Sequence, residues 1–270
     1  MIFQRLNQGN KTMAGAGLPF YPTALTPQKT GLDDMFIPFL GTMSQCPAFQ
    51  VRIPGAITSI MLRRYNVIVG ANYFITPTDT IEVGDGSFIV SWDGTGFTVP
   101  SEGVYYVRIN SGGTLYDSEL INISDCTENV YSLKWKDTKN WVAGACYARG
   151  YENNVLFAGF MGRPAFNYEE EIIKDGYGRT IPVLQTTQDV YVISLVATYG
   201  MMLTLQRAAH HDTITIKTPY GSEYIPIQSF RLVDTGEKTS EYAVCEMRFV
   251  LNEPVESTTY NFDTYCHDCV

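Results

Sequence analysis

Charged residues are scarce in this sequence. Asp, Glu, Lys and Arg make up 17% of its 270 residues, against about 25% in an ordinary soluble domain. Their balance is acidic, with a formal net charge of −9, so the chain lacks the clustered Lys and Arg that hold phosphate backbones. We therefore expect no specific nucleic-acid partner, and the low charge favours a surface partly covered by other protein.

Long hydrophobic runs are also missing. The longest uncharged stretch, residues 190–206, contains Ser, Thr, Gly and Tyr and falls short of the roughly 20 apolar residues of a membrane span. Residues 1–11 lack the basic start and apolar core of a signal peptide. These absences predict a soluble protein, made in a cytoplasm, with no membrane insertion.

The six cysteines are scattered and predict reduced thiols, with Cys245 on an apolar strand face. The motif Cys266-His267-Asp268-Cys269 is the strongest metal candidate, because C-x-x-C offers two thiolates to zinc. Further ligands are hard to find, since His210 and His211 are adjacent and would point about 100° apart on a helix. We expect no metal site and a flexible tail at residues 263–270.

Two other polar clusters are candidates for catalysis, and each has a simpler interpretation. His210 and His211 precede Asp212 at a predicted helix end, where histidines interact with the last carbonyl groups. The carboxylates Glu169, Glu170, Glu171 and Asp175 are too close in sequence to flank a glycosidic bond and predict a solvated loop. Gly176-Tyr177-Gly178 lacks the spacing of a phosphate-binding loop. The prediction is a protein with no catalytic residues and no cofactor, hence not an enzyme.

Aromatic residues are plentiful, with 18 Tyr and 14 Phe. Some of them fall in loops where they could stack on sugar rings: Trp92, Tyr105, Tyr116 and Tyr151. Such stacking would make the first half of the chain a carbohydrate-binding module. The alternative, which the pattern favours, is that they are turn and core aromatics.

Alternating sequence patterns predict antiparallel strands. In residues 99–123, Tyr105, Val107 and Ile109 alternate with more polar positions, and Gly112 and Gly113 supply a reversal before a second alternating run. Several short strands with turn residues between them, from residue 49 to residue 123, are typical of a β-sandwich.

The chain divides into four predicted parts, and the fold class is mainly β. Residues 1–41 are an extended N-terminal arm whose apolar residues a neighbouring molecule would cover, namely Phe20, Tyr21, Met35, Phe36 and Phe39. Residues 42–125 are an antiparallel β-sandwich. Residues 126–262 are an α+β domain with an antiparallel sheet and one helix. The tail at residues 263–270 completes the chain.

Three segments define the predicted α+β domain. Residues 189–197 are apolar on both faces and predict a central strand. Residues 198–211 have the helical spacing of Met201, Met202, Leu205, Ala208 and Ala209. The run Tyr242–Leu251 predicts a strand with Glu246 and Arg248 on its polar face. Its apolar face comprises Ala243, Cys245, Met247, Phe249 and Leu251.

Two parts of the chain carry a resemblance to known proteins. The hairpin sequence GVYYVRI, from Gly103, followed by LYDSE, from Leu115, resembles the "GVYYLRI … YYSE" hairpin of β-sandwich domains in virion proteins of phages and prophages infecting Bacteroidetes. The second half has three glutamates, Asp175-Gly176, a strand, a helix ending in His-His-Asp and the run TITIK. This order is similar to the C-terminal region of the same structural proteins, crAss-like phages among them.

The resemblance implies a structural component of a bacteriophage particle, from the tail or the head–tail connection. Such a protein works by assembly with itself and other virion proteins, and it is located in the virion, assembled in the host cytoplasm. A carbohydrate-binding adhesin module is the alternative, which an exposed row of Tyr and Trp near Trp92 would favour. A glycan-acting enzyme is a weaker alternative, which two facing carboxylates in a cleft would favour.

Overall fold

The architecture is known from a computed structural model. It describes residues 15–22, 37, 39–65, 72–125, 128–142, 145–147, 149–174, 176–219, 221–238, 242–251 and 256–259. Strands account for 60% of the described structure and helix for 5%. The predicted fold class, mainly β with one helix among the described residues, is therefore confirmed.

The first half contains eleven described strands. They are β1 Gly15–Gly17, β2 Phe20–Pro22, β3 Phe39–Gly41, β4 Phe49–Pro54, β5 Ile57–Arg64, β6 Asn72–Phe74, β7 Asp79–Glu82, β8 Ser87–Trp92, β9 Gly103–Ser111, β10 Thr114–Ser118 and β11 Ile121–Ile123.

The second half adds eleven strands and the helix. They are β12 Val130–Lys136, β13 Trp141–Val142, β14 Ala145–Cys146, β15 Asn153–Ala158, β16 Phe160–Met161, β17 Ala165–Lys174, β18 Thr180–Thr198, α1 Tyr199–Ala208, β19 Thr213–Lys217, β20 Ile225–Lys238, β21 Tyr242–Leu251 and β22 Glu256–Thr259.

Most strands join one large sheet, and a smaller sheet packs beside it. The large sheet follows the order β16-β18-β21-β20-β19-β12-β15-β3-β11-β9-β10-β2, and the smaller one follows β1-β4-β8-β7. Pairing is antiparallel except between β3 and β11. Phe49 of the smaller sheet contacts Phe20 of the large one, with ring centroids 4.8 Å apart, so the two sheets share a hydrophobic core.

The predicted hairpin of residues 99–123 is confirmed. Gly112 and Gly113 have φ of 56° and 84°, the backbone of a type I′ turn that matches the twist of paired strands. Arg108 and Asp117 lie directly opposite each other and form two hydrogen bonds of 2.6 Å each. The alternating face of Tyr105, Val107 and Ile109 is fully buried. The alternation therefore predicted the buried face correctly.

The prediction of an extended N-terminal arm is corrected by the structure, because the described parts of this segment belong to the chain's own sheets. β1 pairs with β4, β2 with β10, and β3 with β11 and β15. Phe20, Tyr21 and Phe39 are buried within this chain, so the expectation that a neighbour covers them is wrong. Met35 and Phe36 lie outside the described residues.

β3 also connects the two halves of the chain. It lies between β11 of the first half and β15 of the second, and one hydrophobic core contains buried residues from both halves. The division into separate domains at residue 126 stays a prediction, and hydrogen bonds cross it.

Helix α1 confirms the predicted helix but ends earlier. Its N-cap is Thr198, whose hydroxyl oxygen accepts a hydrogen bond from the backbone of Met201. Met201, Leu205 and Ala208 are buried as predicted, whereas Ala209 lies beyond the last helical residue and is exposed. Thr204 donates a 2.8 Å hydrogen bond to the carbonyl oxygen of Gly17, which joins the helix to β1.

Candidate assembly surface

β18 is the longest described strand, and it changes partners along its length. Its residues 191–198 pair with β21 in the large sheet, whereas its residues 180–190 pair with β17 and partly with β22. β17, residues 180–190 of β18 and β22 together form what we call the ribbon. At about 3.3 Å per residue, the ribbon extends the sheet by roughly 33 Å.

The ribbon ends in an exposed turn with the sequence Gly176-Tyr177-Gly178. Tyr177 at this tip is 89% exposed, and the guanidinium of Arg179 lies 5.7 Å from the centre of its ring. The solvated loop predicted for Glu169, Glu170 and Glu171 is wrong, because these residues belong to β17. Ten register pairs with β18 hold them in a strand. Asp175 lies outside the described residues.

β18 presents apolar residues on both faces, but within the described part of the chain only one face is covered. Ile193, Leu195 and Ala197 are buried in the core, whereas Val196 on the opposite face is 38% exposed. Phe160 of β16, which pairs with β18, is 73% exposed. The strand has β16 and β21 on either side, so it is not an edge strand, but it lies second from one end of the sheet and not at its centre.

We call this side of the sheet the outer face. Cross-strand partners share a face of a sheet, so the register assigns apolar, polar and charged residues to it: Phe160, Val192, Ser194, Val196, Val233, Val244, Arg231, Glu246 and Arg248. Val192 and Val244 are half-buried. The outer face thus combines an apolar centre with two arginines and one glutamate.

Two arginines lie directly opposite each other on the outer face. Arg231 of β20 pairs in register with Arg248 of β21, and both are exposed. Arg248 has a partner in Glu246, at 2.7 Å, whereas Arg231 has no ion pair among the described residues. Like charges in directly opposed positions destabilise a sheet. This pair would therefore be stabilised by an external anion.

The histidine pair is divided between surface and core. His210 is exposed, and His211 is buried. The Nδ1–H of His211 donates to the carbonyl oxygen of Arg207 at 2.7 Å, and its Nε2 accepts from the hydroxyl of Tyr147 at 2.6 Å. Tyr147 in turn accepts from the Asn153 amide at 2.8 Å. Burial lowers the pKa of His211, so this side chain is a neutral structural link.

The contacts of His211 agree only in part with its predicted interaction at the helix end. The side chain does bond to a carbonyl of the last helical turn, but as a neutral imidazole and not as a charge near the helix end. Tyr147 and Asn153 were not among the predicted site residues. They lie far from the histidine in sequence, and no local spacing signals the contact.

The other candidate sites have these outcomes. No group of three His, Cys, Asp or Glu side chains suited to a metal occurs in the described ranges, and the motif at residues 266–269 lies outside them. Three cysteines are buried and form no disulfide: Cys46, Cys146 and Cys245. The aromatics proposed for sugar stacking are turn and core residues, as the favoured interpretation predicted. All four are buried: Trp92, Tyr105, Tyr116 and Tyr151.

Comparison with known proteins identifies no relative of this chain. No family model matches the chain, and neither a curated protein nor a solved structure matches it. The helix in the described part is too short and too polar to cross a membrane.

Proposed function

We propose that this chain is a structural component of a bacteriophage particle, from the tail or the head–tail connection, and that it acts through assembly contacts and not through catalysis. One observation carries the proposal. β18 is apolar on both faces, and the described part of the chain covers only one of them. A second protein surface would complete the burial.

Two further features support this proposal. The ribbon places an exposed tip at Tyr177 roughly 33 Å beyond the sheet, a shape suited to reaching a neighbouring subunit. The hairpin of β9 and β10 also adopts the strand–turn–strand form expected from the resemblance to phage virion proteins. An exposed row of Tyr and Trp near Trp92 would favour the adhesin alternative, and Trp92 itself is buried.

The test is to locate the protein in particles. Particles of the encoding phage or induced prophage would be purified by density gradient and analysed by quantitative mass spectrometry and immunogold electron microscopy. We expect several copies per particle, with label at the tail or its junction with the head. A non-structural protein of the same genome controls for contamination. Recovery of the chain only in the soluble lysate, at the level of this control, would refute the proposal.

A further inference from the structure

We propose that the outer face binds the ribbon of a second copy of this chain, so that copies join head to tail. This inference rests on the proposed assembly role and names one partner for it. It joins two features of the same sheet: an apolar face with an arginine that has no ion pair among the described residues, and a projecting strand pair whose sequence is acidic.

The ribbon that covers the outer face must come from another molecule. β18 is one uninterrupted strand from residue 180 to residue 198, so the ribbon continues its own sheet. A continuation of a sheet lies beside that sheet's face and cannot fold over it. In a second copy the same ribbon is free to lie across the face, at the spacing of about 10 Å at which sheets pack.

The outer face lacks a cover among the described residues, where it exposes Phe160 and Val196. The paired strands of the ribbon contain several large apolar residues in sequence: Phe166, Tyr168, Ile172, Ile173, Ile181 and Leu184. A two- or three-stranded ribbon needs a hydrophobic surface to be stable in water. Docking the ribbon on the outer face would therefore bring an apolar sequence against Phe160 and Val196.

Charge determines which surfaces meet. The outer face has Arg231 and Arg248 directly opposite each other, with Glu246 as the partner of Arg248 alone. β17 has three consecutive glutamates, residues 169–171. The sequence of β17 has three glutamates against one lysine, whereas the outer face has two arginines against one glutamate. Face against face and ribbon against ribbon would each bring together surfaces whose charges have the same sign. Only a face-to-ribbon contact is complementary, and such heterologous contacts continue into rings or filaments.

Sedimentation velocity of the full chain over a range of concentrations tests the inference. We expect the wild type to form species larger than a dimer. The face variant R231E/R248E and the ribbon variant E169K/E170K/E171K should each remain monomeric where the wild type assembles. A matched control, K136E/K139E, reverses two exposed lysines on and just after β12, which β19 separates from β20, and should assemble like the wild type.

Mixing the two variants gives the sharpest result. The face variant keeps an intact ribbon for the intact face of the ribbon variant, and the two reversed surfaces are complementary as well, so an equimolar mixture should assemble beyond a dimer. Combining both sets of changes in one chain should restore higher assembly. Phe160→Ser is an independent variant, because its side chain is 73% exposed. It should melt like the wild type and associate at least about tenfold more weakly.

Three results would overturn the inference: a wild type that stays monomeric, a folded face variant that assembles like the wild type, or a mixture that does not assemble. Circular dichroism melts of every variant confirm folding. These outcomes are separate from the particle test. A chain found in virions but monomeric in solution would refute the self-contact and leave the proposed function standing.

Discussion

Truncating Phe249 tests whether the register of the large sheet is correct. Phe249 is 1% exposed and lies directly opposite Tyr191 on β18 and Phe230 on β20. Its ring stacks on that of Tyr191, with centroids 5.7 Å apart and an interplanar angle of 16°. Phe249→Ala therefore removes the middle ring of an aromatic row that crosses three strands.

The expected loss follows from the surroundings of this ring. Phe→Ala changes in protein cores cost about 3–5 kcal/mol, and less where neighbours can move into the cavity. Tyr191 and Phe230 are only half-buried and have room to move, so we expect the lower part of this range. At about 2–4 °C per kcal/mol for a chain of this size, the melting temperature should fall by roughly 10 °C.

Arg248→Ala is the matched control on the neighbouring residue. Its side chain is 51% exposed and pairs with Glu246 at the surface, an interaction that contributes at most about 1 kcal/mol. Thermal melts and urea titrations of both variants measure the difference in unfolding free energy. Equal, small losses would mean that Phe249 is not a core residue, and the register of β21 would then be wrong.

Four further outcomes are expected. Gly94→Ala should lower the free energy of unfolding by about 1–3 kcal/mol more than Gly96→Ala in urea denaturation. Both glycines have φ near 80°, but only at Gly94 would an added Cβ lie 2.0 Å from a backbone oxygen. Equal losses for the two variants would exclude this clash. Burial lowers the pKa of His211, so the folded chain binds this proton less readily than the unfolded chain. Stability should therefore hold above about pH 6.5 and decrease as the pH falls below it, and His211→Gln should reduce that dependence in melts at several pH values. Deleting residues 1–22 removes β1 and β2 and should lower the melting temperature; an unchanged melt would contradict their burial. Elemental analysis should find no stoichiometric zinc, whereas about one zinc per chain, lost in Cys266→Ser, would contradict this.

The elements predicted correctly are those whose patterns are local. β9 and β10 alternate strictly and are joined by two glycines, so neighbouring residues alone determine the hairpin. In β21, Ala243, Cys245 and Met247 alternate with half-buried residues, and all three are buried. Because alternate residues of a strand lie on the same face of the sheet, one alternating run indicates the burial of every residue on that face. Such strands can therefore be predicted without knowing what they pair with.

The elements predicted wrongly depend on distant partners. β1 is Gly15–Gly17 and has no alternation, yet it pairs with β4, and Gly17 accepts a hydrogen bond from Thr204 on the helix. β17 contains three glutamates, which disfavour strands, and its strand form depends on its pairing with β18. His211 is similar, because its partner Tyr147 comes from a separate segment. None of these contacts can be inferred from the spacing of residues in a single sequence.

On the outer face, the burial predicted from the sequence pattern differs from the burial found in the structure. Apolar residues on both faces of residues 189–197 predict burial on both sides, because exposed valines are costly in a sheet that faces water. The described chain buries Ile193 and Leu195 on one side and leaves Val196 and Phe160 exposed on the other. Under the proposed function, another protein surface supplies the second layer. Arg231, which has no ion pair among the described residues, would then be matched by a carboxylate of that surface.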